Sequence, residues 1–322
     1  MLLKRLGLVL LGLSCVLPLA RAADFPARPM TVLVGGGPGS LPDLFARPLA
    51  DRLSRSLGQP VVVDNKPGAG GMIAIQALKA APADGHTLAV ITNAHAVWNP
   101  HIFAKLTYDP KTDLVPVSPV ATIPMALVVN PALPVNTVQE LFDLAREKPG
   151  ALNYASSGNG SPPHVLFEMM RRQAEADIVH VPFKTGTDAL TSVAAGDTQI
   201  YFAGTSLVAP MVRDGRLRLL AVSPSVPGEP FAGVPTLQDA GFPGLEGVVW
   251  LGVVTNQGTP AQTVERLNHA VAEAARDPSM RQAFDSHGAL LLEGSAAEFA
   301  QRIESDRATW DPVLEKMGLN PG

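Results

Sequence analysis

The alternation of short apolar runs with longer amphipathic segments is the feature that most constrains the fold. Short valine- and leucine-rich runs predict buried strands, and apolar residues at helical spacing predict the helices between them. The predicted strands are Val32–Val34, Pro60–Val63, Leu88–Ile91, Met125–Val129, Leu152–Ala155, Ile178–Val181, Gln199–Phe202, Leu217–Val222 and Val248–Val254. The predicted helices are Leu44–Leu57, Gly70–Ala80, Val138–Glu147, Pro163–Ala174, Asp188–Ala195, Leu207–Asp214, Val264–Arg276 and Ala296–Met317. This order predicts an α/β fold with mainly parallel sheets.

Two series of strands and helices can be separated along the chain. The first covers residues 24–124, the second covers 125–250, and residues 251–322 are again rich in predicted helices. The apolar strands Met125–Val129 and Val248–Val254 are candidate crossovers between the two units. We therefore predict one lobe from residues 24–124 plus 251–322 and a second lobe from residues 125–250. The expected ligand site is a cleft between the lobes, at the carboxyl ends of the strands.

The first 23 residues have the pattern of a secretory signal peptide. Lys4 and Arg5 precede an apolar run from Leu6 to Leu19, and Ala-Arg-Ala then supplies the small residues that a signal peptidase reads. The run is shorter than the ~20 residues that a membrane span needs. The alternative is lipidation at Cys15, but the residues before it are a poor lipidation site. We therefore expect an exported mature protein without cysteine.

Charge and composition argue against several functional classes. The whole chain has a net charge of −4, and without the predicted signal peptide 22 basic residues face 29 acidic residues, so the net charge is −7. With no basic cluster and no aromatic platform, we expect no nucleic-acid binding. There is no Gly-x-Ser-x-Gly motif, and the seven histidines lack the spacing of zinc ligands. We therefore expect neither catalysis nor a metal or cofactor.

Polar loops follow the predicted strands of the first unit. Gly35–Asp43 comes directly after the first strand, but its register matches neither the dinucleotide fingerprint nor the phosphate-binding loop. Its glycines let the backbone approach a ligand, and Asp43 suits a helix N-cap. After Leu88–Ile91, Asn93 suits a helix N-cap and His95 lies close to it. A lone histidine in such a position is more often structural than functional. The candidate ligand-binding residues of this unit are Gly37, Gly39, Ser40, Asp43, Asn93 and His95.

In the second unit the segment Asn153–His164 is the most informative. A short strand enters a loop of small hydrogen-bonding residues, and a Pro-Pro pair opens a helix that Ser161 can cap. The amides of Ser157–Ser161 are then left to point outward, as in sites that bind a carboxylate or phosphate. The alternative is an ordinary strand-to-helix turn. The candidates of this unit are Ser156, Ser157, Gly158, Gly160, Ser161, His164, Lys184, Gly204 and Thr205.

Several stretches distributed along the mature chain resemble the Bug/TctC family, the extracytoplasmic solute-binding receptors of tripartite tricarboxylate transporters. They are Phe25–Pro29, Leu57–Gly71, Pro82–Leu88, Asn153–Gly160, Val179–Lys184, Val234–Thr236, Gly258–Pro260 and Arg266–Asn268. The resemblance implies a two-lobed type II periplasmic-binding-protein fold with a small carboxylate, such as a di- or tricarboxylate or an aromatic acid, bound in the cleft. It also implies a periplasmic monomer that delivers its ligand to the permease subunits. In the family the loops matching Gly35–Asp43 and Ser156–His164 contact the ligand.

Two departures from the family pattern bear on the ligand. Gly35 and Gly36 stand where family members commonly have Pro-Phe, so an aromatic wall is missing, and Trp98 is a candidate replacement. Ala203-Gly204 stands where they commonly have Asp-Asn or a similar pair, whose acidic side chain would suit a ligand ammonium. An unpaired buried ammonium is costly, so we expect a carboxylate without an amino group.

The sequence also raises a question about one predicted helix and leaves two alternative functions. Pro48 removes a hydrogen bond inside the predicted helix Leu44–Leu57, so we expect a kink or a start delayed to Arg47. A periplasmic sensor that docks on a membrane kinase would use the same two lobes as a transport receptor. A small-molecule hydrolase is the third reading, but the sequence offers no evident nucleophile and base.

Overall fold

The computed structural model describes residues 25–226, 228–243, 249–286 and 288–317. The predicted signal peptide and Cys15 lie outside these residues. The described strands are β1 (Met30–Val34), β2 (Val61–Asn65), β3 (Thr87–Thr92), β4 (Leu114–Ile123), β5 (Met125–Val129), β6 (Asn153–Ser156), β7 (Val179–Pro182), β8 (Ile200–Gly204), β9 (Arg218–Ser223), β10 (Val249–Asn256) and β11 (Leu290–Leu291).

The strands form two separate sheets, one in each lobe. The first sheet has the order β11-β4-β10-β3-β1-β2, and the second has the order β7-β6-β8-β5-β9. β4 of the first sheet ends at Ile123, and β5 of the second sheet begins at Met125, so a single proline links the lobes there. The predicted two-lobed α/β fold is confirmed.

The prediction of mainly parallel sheets is wrong. β1 pairs in parallel with β2 and β3, and β6 pairs in parallel with β7 and β8. Every pairing that involves β4, β5 or β10 is antiparallel. β5 and β10, with which the chain enters the second sheet and returns to the first, run against the parallel strands of their sheets. They do not follow a strand of their own sheet through a helical crossover, which is the connection that parallel pairing requires.

Helices cover both sheets. In chain order they are α1 (Leu41–Leu57), α2 (Met72–Ala80), α3 (Asn99–Ile102), α4 (Val138–Glu147), α5 (Pro162–Gln173), α6 (Gly186–Ala195), α7 (Thr205–Arg213), α8 (Ala261–Arg276), α9 (Pro278–Ser286) and α10 (Ala296–Met317). A five-residue π-helical turn, Ala94–Trp98, joins β3 to α3, and we call it the π-turn. The sequence did not predict β4, β11, α3, α9 or the π-turn.

Helix α1 contradicts one of the two expected effects of Pro48, the delayed start. The helix begins at Leu41 rather than Arg47 and continues through Pro48 to Leu57. Its apolar face, which includes Phe45, Leu49 and Leu53, is fully buried against the first sheet and its helices. This burial offsets the hydrogen bond that proline removes.

Buried apolar side chains fill the space between the helices and sheets of each lobe. All five residues of β5 and all eight of β10 are buried, as expected for strands that are covered on both faces. Trp98 is also fully buried and packs edge-on against Trp310 of α10, with 5.6 Å between the ring centroids. Among the described helices, none combines the length and apolarity needed to cross a membrane.

Candidate functional site

The loop between β1 and α1 is organised by Asp43. The Asp43 side chain is 2% exposed and accepts hydrogen bonds from the Gly39 amide (2.8 Å), Arg47 (3.0 and 2.8 Å) and Asn65 (2.8 Å). Burial raises the pKa of the Asp43 carboxyl, but the bonds from Arg47, Gly39 and Asn65 outweigh burial and leave the pKa below its ordinary value. Asp43 is therefore an ionised residue whose oxygens are occupied by the protein.

Ser40, and not Asp43, is the N-cap residue of α1. Asp43 lies in the first turn of the helix, where its negative charge suits the helix dipole. The Ser40 side chain makes no capping hydrogen bond, and its Oγ is buried without a partner. A buried hydroxyl without a partner at a helix N-terminus is a group that a bound ligand can satisfy.

The π-turn holds His95 as a neutral, buried side chain. His95 is 7% exposed, and its Nδ1 accepts a hydrogen bond of 3.1 Å from the Thr92 amide, which leaves the ring proton on Nε2. Burial lowers the pKa of His95 to about 4 despite the opposing effect of the Thr92 bond. Nε2 faces two glycines, because a β-carbon on Gly71 would lie 2.0 Å away and one on Gly35 would lie 3.0 Å away.

Two asparagines of the same region carry buried acceptors without partners. Asn93 precedes the π-turn, and its side chain does not cap it as the sequence suggested. Asn93 Oδ1 and Asn99 Oδ1 are both buried and accept no hydrogen bond. The π-helical geometry places these side chains at the end of β3, and such bulges are frequent at functional sites.

The loop of the second lobe, residues 156–161, is built from its own hydrogen bonds. Ser161 is the N-cap residue of α5, but its hydroxyl donates to the Gly158 carbonyl (2.7 Å) instead of capping the helix. The Gly158 amide donates to Ser156 Oγ (3.1 Å), and the Gly160 amide donates to His164 Nδ1 (3.1 Å). The Ser161 amide donates to the Gly158 carbonyl. Three of the five amides that we expected to face a ligand therefore hold the loop itself.

Two neutral histidines, His164 and His180, form hydrogen bonds with this loop. The rings of His164 and His180 stack with 4.2 Å between their centroids, and His180 Nε2 lies 2.6 Å from Ser156 Oγ. Burial lowers the pKa of His180 to about 4, with a further lowering by His164. Burial also lowers the pKa of His164, although Glu168 opposes the change. The loop is therefore held by uncharged groups at neutral pH.

Ser156 and His180 form a hydroxyl–imidazole pair of the kind found in nucleophilic catalysis, which the sequence did not reveal. Its geometry would suit proton transfer. However, Ser156 is fully buried, and its Oγ is engaged by the Gly158 amide as well as by His180. The pair therefore supports the loop and offers no exposed nucleophile.

The remaining predicted site residues lie on three loops. Ser157 is half-buried beside Ser156, whereas Lys184 is exposed after β7. Gly204 is the N-cap residue of α7 and is fully buried with Thr205. Thr205 Oγ1 is buried and has no hydrogen-bond partner, and neither has Ser206 Oγ. Thr205 Oγ1 is therefore a buried hydroxyl without a hydrogen-bond partner, like Ser40 Oγ in the other lobe.

Among the described residues, the two lobes approach each other closely at several places across the cleft. A β-carbon on Gly37 would lie 3.9 Å from Thr185 Cγ2, and one on Gly204 would lie 3.3 Å from Leu41 Cδ1. A β-carbon on Gly160 would lie 2.8 Å from the Phe103 ring. The predicted loops Gly35–Asp43 and Ser156–His164 therefore face each other, with Phe103 between the second loop and Gly70.

Several functional candidates were missed by the sequence reasoning. They are Asn99, Phe103 and Ser206, together with Gly70 and Gly71, which we interpreted as a plain turn and helix start. The adjacent glycines are the signal that could have drawn attention to Gly70 and Gly71, because they allow close approach of the backbone. Trp98, the proposed aromatic wall, instead packs against α10. In the described part of the chain, no group of three or more histidine, cysteine or acidic residues is placed to bind a metal.

The unpartnered polar atoms give the cleft its chemistry. They are Oγ of Ser40, Thr205 and Ser206 and Oδ1 of Asn93 and Asn99. All are uncharged, and they lie in the segments that follow β1, β3 and β8, including the first residues of α3 and α7. Hydroxyls can donate to an anion, and the helix N-termini of α1, α5 and α7 add partial positive charge. The cleft can thus hold a small anion without a salt bridge.

Comparison with known proteins identifies what the chain is similar to. Residues 45–319 match the sequence model of the Tripartite tricarboxylate transporter family receptor. A UPF0065 protein of Bordetella bronchiseptica is 34% identical over 97% of this chain and 92% of its own length. An R. palustris protein solved with adipate is 33% identical, with a TM-score of 0.84 over 92% of this chain and 98% of its own. MatC of Rhodopseudomonas palustris, solved with bound malate, is 28% identical, with a TM-score of 0.85 over 90% of this chain and 100% of its own.

Proposed function

The chain belongs to the tripartite tricarboxylate transporter receptor family, and from this we propose that it captures a small carboxylate between its lobes and delivers it to permease subunits. The members of this family are solute-binding receptors and not enzymes. We further propose that the mature chain works in the periplasm as a monomer, with residues 24–124 plus 251–322 as one lobe and residues 125–250 as the other.

One observation supports this proposal above the others. Buried, uncharged polar atoms without partners lie on loops of both lobes, and the nearby acidic side chain, Asp43, is already occupied. Buried polar groups in folded proteins normally have partners. A carboxylate at the junction of the lobes would accept hydrogen bonds from the hydroxyls, and a donor on the ligand would satisfy the asparagine oxygens.

Closure of the two lobes is the proposed mechanism of capture. The lobes are linked by short segments such as Pro124, between β4 and β5, which can act as a hinge. In the open state, water would satisfy Ser40, Thr205 and the asparagine carbonyls. On closure, the ligand replaces this water, and contacts such as Gly37–Thr185 and Gly204–Leu41 form around it. The closed surface is then what a permease recognises.

The proposed ligand is a carboxylate without an ammonium group, such as a di- or tricarboxylate or an aromatic acid. Ala203 and Gly204 are buried and carry no acidic group that could pair with an ammonium. The relatives solved with adipate and with malate support a carboxylate. An amino acid would bury its positive charge without compensation, which disfavours it.

A thermal-shift screen followed by calorimetric titration tests this function. The purified mature protein is mixed with adipate, succinate, malate, citrate and benzoate, and with glutamate and aspartate as amino-acid controls. A ligand at a hundred times its dissociation constant should stabilise the protein by ~2.7 kcal/mol, which is a shift of a few degrees. Tighter binding of glutamate or aspartate than of every plain carboxylate would contradict the proposed ligand class, and no binding of any acid would contradict carboxylate capture.

A further inference from the structure

We propose that Asn99 accepts a hydrogen bond from a hydroxyl group of the ligand, so that the receptor selects carboxylates that also carry a hydroxyl. This inference rests on the proposed function, because it takes the cleft between the lobes as the ligand site. It adds a specificity-determining residue that the loops Gly35–Asp43 and Ser156–His164 do not include.

The position of Asn99 places it at the meeting point of both lobes. It is the first residue of α3, directly after the π-turn, and it is fully buried. Its Oδ1 lies 3.6 Å from the point where a β-carbon of Gly70 would stand and 3.6 Å from the corresponding point of Gly160. Gly70 belongs to the first lobe, and Gly160 belongs to the loop of the second lobe formed by residues 156–161.

The orientation of the Asn99 amide is fixed by its neighbours. Its Nδ2 donates to the Gly70 carbonyl (3.1 Å) and to the Tyr108 hydroxyl oxygen (3.0 Å). The Tyr108 hydroxyl gives its own proton to the His95 carbonyl (2.7 Å), so its oxygen can only accept from Asn99. A flipped amide would set Oδ1 against the Gly70 carbonyl, acceptor against acceptor. The buried Oδ1 therefore remains an acceptor, and it has no partner.

Because Asn99 Oδ1 is an acceptor, the ligand group that contacts it must be a hydrogen-bond donor. An ionised carboxylate has no proton to donate, so the anionic end of a ligand cannot satisfy Asn99. An ammonium could donate, but the nearby carboxylate of Asp43 is taken by Gly39, Arg47 and Asn65. A neutral hydroxyl brings a proton without a charge that must be matched, so it fits best. Asn93 Oδ1 is a second unpartnered acceptor beside the same turn.

Matched acids that differ by one hydroxyl test the inference in the wild-type protein. The pairs are malate with succinate and citrate with tricarballylate, each titrated by calorimetry under the same buffer and pH. Because an unpaired buried acceptor is expensive, the hydroxy acid should bind about tenfold more tightly or better in at least one pair. Equal affinities within each pair that binds would overturn the role of Asn99 and leave the proposed function intact. If none of the four acids binds, the inference fails, whereas the proposed function fails only if adipate and benzoate do not bind either.

The variant Asn99→Leu links the preference to this residue. It should lose the preference for malate or citrate, while the affinity for succinate or tricarballylate changes by about twofold or less, because only the hydroxyl is read here. The matched control is Asn268→Leu, since Asn268 Nδ2 also donates two hydrogen bonds, in this case to the carbonyls of Val117 and Gly294, at 2.8 Å each. Asn268→Leu should lower stability and keep the preference. A preference that persists in Asn99→Leu would overturn the inference.

A milder variant covers the case in which Asn99→Leu does not fold. Tyr108→Phe removes one of the two contacts that orient the Asn99 amide and leaves Oδ1 in place. It should reduce the preference for the hydroxy acid without abolishing binding of either acid. An unchanged preference in folded Tyr108→Phe would contradict the fixed amide as the source of selectivity.

Discussion

At the scale of single residues, the missing β-carbon of Gly160 is what allows the lobes to meet. Gly160 has a left-handed φ of +77°, and a β-carbon there would stand 2.8 Å from the Phe103 ring. We expect Gly160→Ala to lower stability by about 1–2 kcal/mol through the left-handed strain. It should also weaken carboxylate binding about tenfold or more, because closure must then displace Phe103.

Gly233→Ala separates the two effects of that substitution. Gly233 has the same φ of +77°, but a β-carbon there would meet nothing within 4 Å. The control should therefore share the loss of stability, measured by chemical denaturation, and keep the wild-type affinity. Equal affinities of the two variants would show that the contact between Gly160 and Phe103 does not limit closure.

The second prediction at this scale concerns His95 and the pH dependence of the free energy of unfolding. Burial lowers the pKa of His95 from an unfolded value near 6.5 to about 4, so the unfolded chain binds a proton first as the pH falls. The stability from neutral His95 is therefore complete above pH 6.5 and is lost between pH 6.5 and 4. We expect the free energy of unfolding to fall in this window by up to about 3 kcal/mol from His95 alone.

The comparison of wild type with His95→Asn isolates this contribution. Asparagine can keep an acceptor for the Thr92 amide but has no group that titrates in this window. Its unfolding free energy, measured by urea denaturation at several pH values, should depend less steeply on pH. Because His164 and His180 also have lowered pKa values, the variant should retain part of the slope. Parallel curves for the two proteins would contradict a neutral buried His95.

At the scale of secondary-structure elements, the sequence predicts those helices and strands whose limits are set by hydrophobic periodicity and by capping residues. α4 begins at Val138 as expected, because the Thr137 side chain accepts a hydrogen bond from the Glu140 amide. β4 was missed because Pro116 and Pro119 interrupt its pattern. In the structure these prolines stand at register shifts between β4 and β10, where no ladder bond is required of them.

The candidate site was predicted only in part, for a related reason. The small residues of Gly35–Asp43 and Ser156–His164 mark flexible or closely approached backbone, which the sequence displays directly. The π-turn has no such signature, since its geometry depends on distant partners in α10 and on Tyr108. For the same reason the role of Asn99 could not be read from its neighbours in the sequence.

The link between the π-turn and α10 leads to a prediction at this scale. Arg307 of α10 is 7% exposed and donates from Nε and Nη2 to the Ala96 carbonyl (3.2 Å each) and from Nη2 to the Pro110 carbonyl (3.0 Å). We expect Arg307→Met to cost about 1–3 kcal/mol of stability, because it leaves these buried carbonyls unpaired. It should also weaken carboxylate binding, since the π-turn positions His95 and Asn99.

Arg276→Met is the matched control for Arg307. Arg276 lies on α8, and its ion pair with Glu293 is largely exposed, so its loss should change the melting temperature little. The two variants are compared by thermal melting and by titration with the carboxylate that binds wild type most tightly. If Arg307→Met melts earlier but binds with the wild-type affinity, then α10 stabilises the lobe without positioning the site.

At the scale of the whole molecule, the two lobes contribute different chemistry to the proposed ligand site. The first lobe brings asparagine carbonyls and a neutral histidine, and the second brings a self-bonded loop and the hydroxyls at the start of α7. In the proposed mechanism, the groups of one lobe do not enclose a ligand without those of the other. Affinity should therefore depend on how freely the lobes move, as well as on the residues that touch the ligand.

A disulfide between the lobes tests this dependence on movement. The described chain contains no cysteine, and Gly37 and Thr185 face each other across the cleft, with a β-carbon on Gly37 3.9 Å from Thr185 Cγ2. In the double variant Gly37→Cys/Thr185→Cys, oxidation with a carboxylate already bound should trap it and slow its exchange by orders of magnitude. A carboxylate added after oxidation should bind slowly or not at all, because the entrance is closed.

The controls distinguish locking of the lobes from damage to the site. Thr185 caps α6 through a hydrogen bond from the Asp188 amide, so Thr185→Cys alone should cost about 1 kcal/mol of stability and keep normal exchange. Reduction of the double variant should restore exchange to the rate of the single variants. Ligand release is measured by chase with an excess of unlabelled carboxylate. Equal release from the oxidised and reduced forms would mean that a ligand can leave without separation of the lobes, and capture by closure would then be wrong.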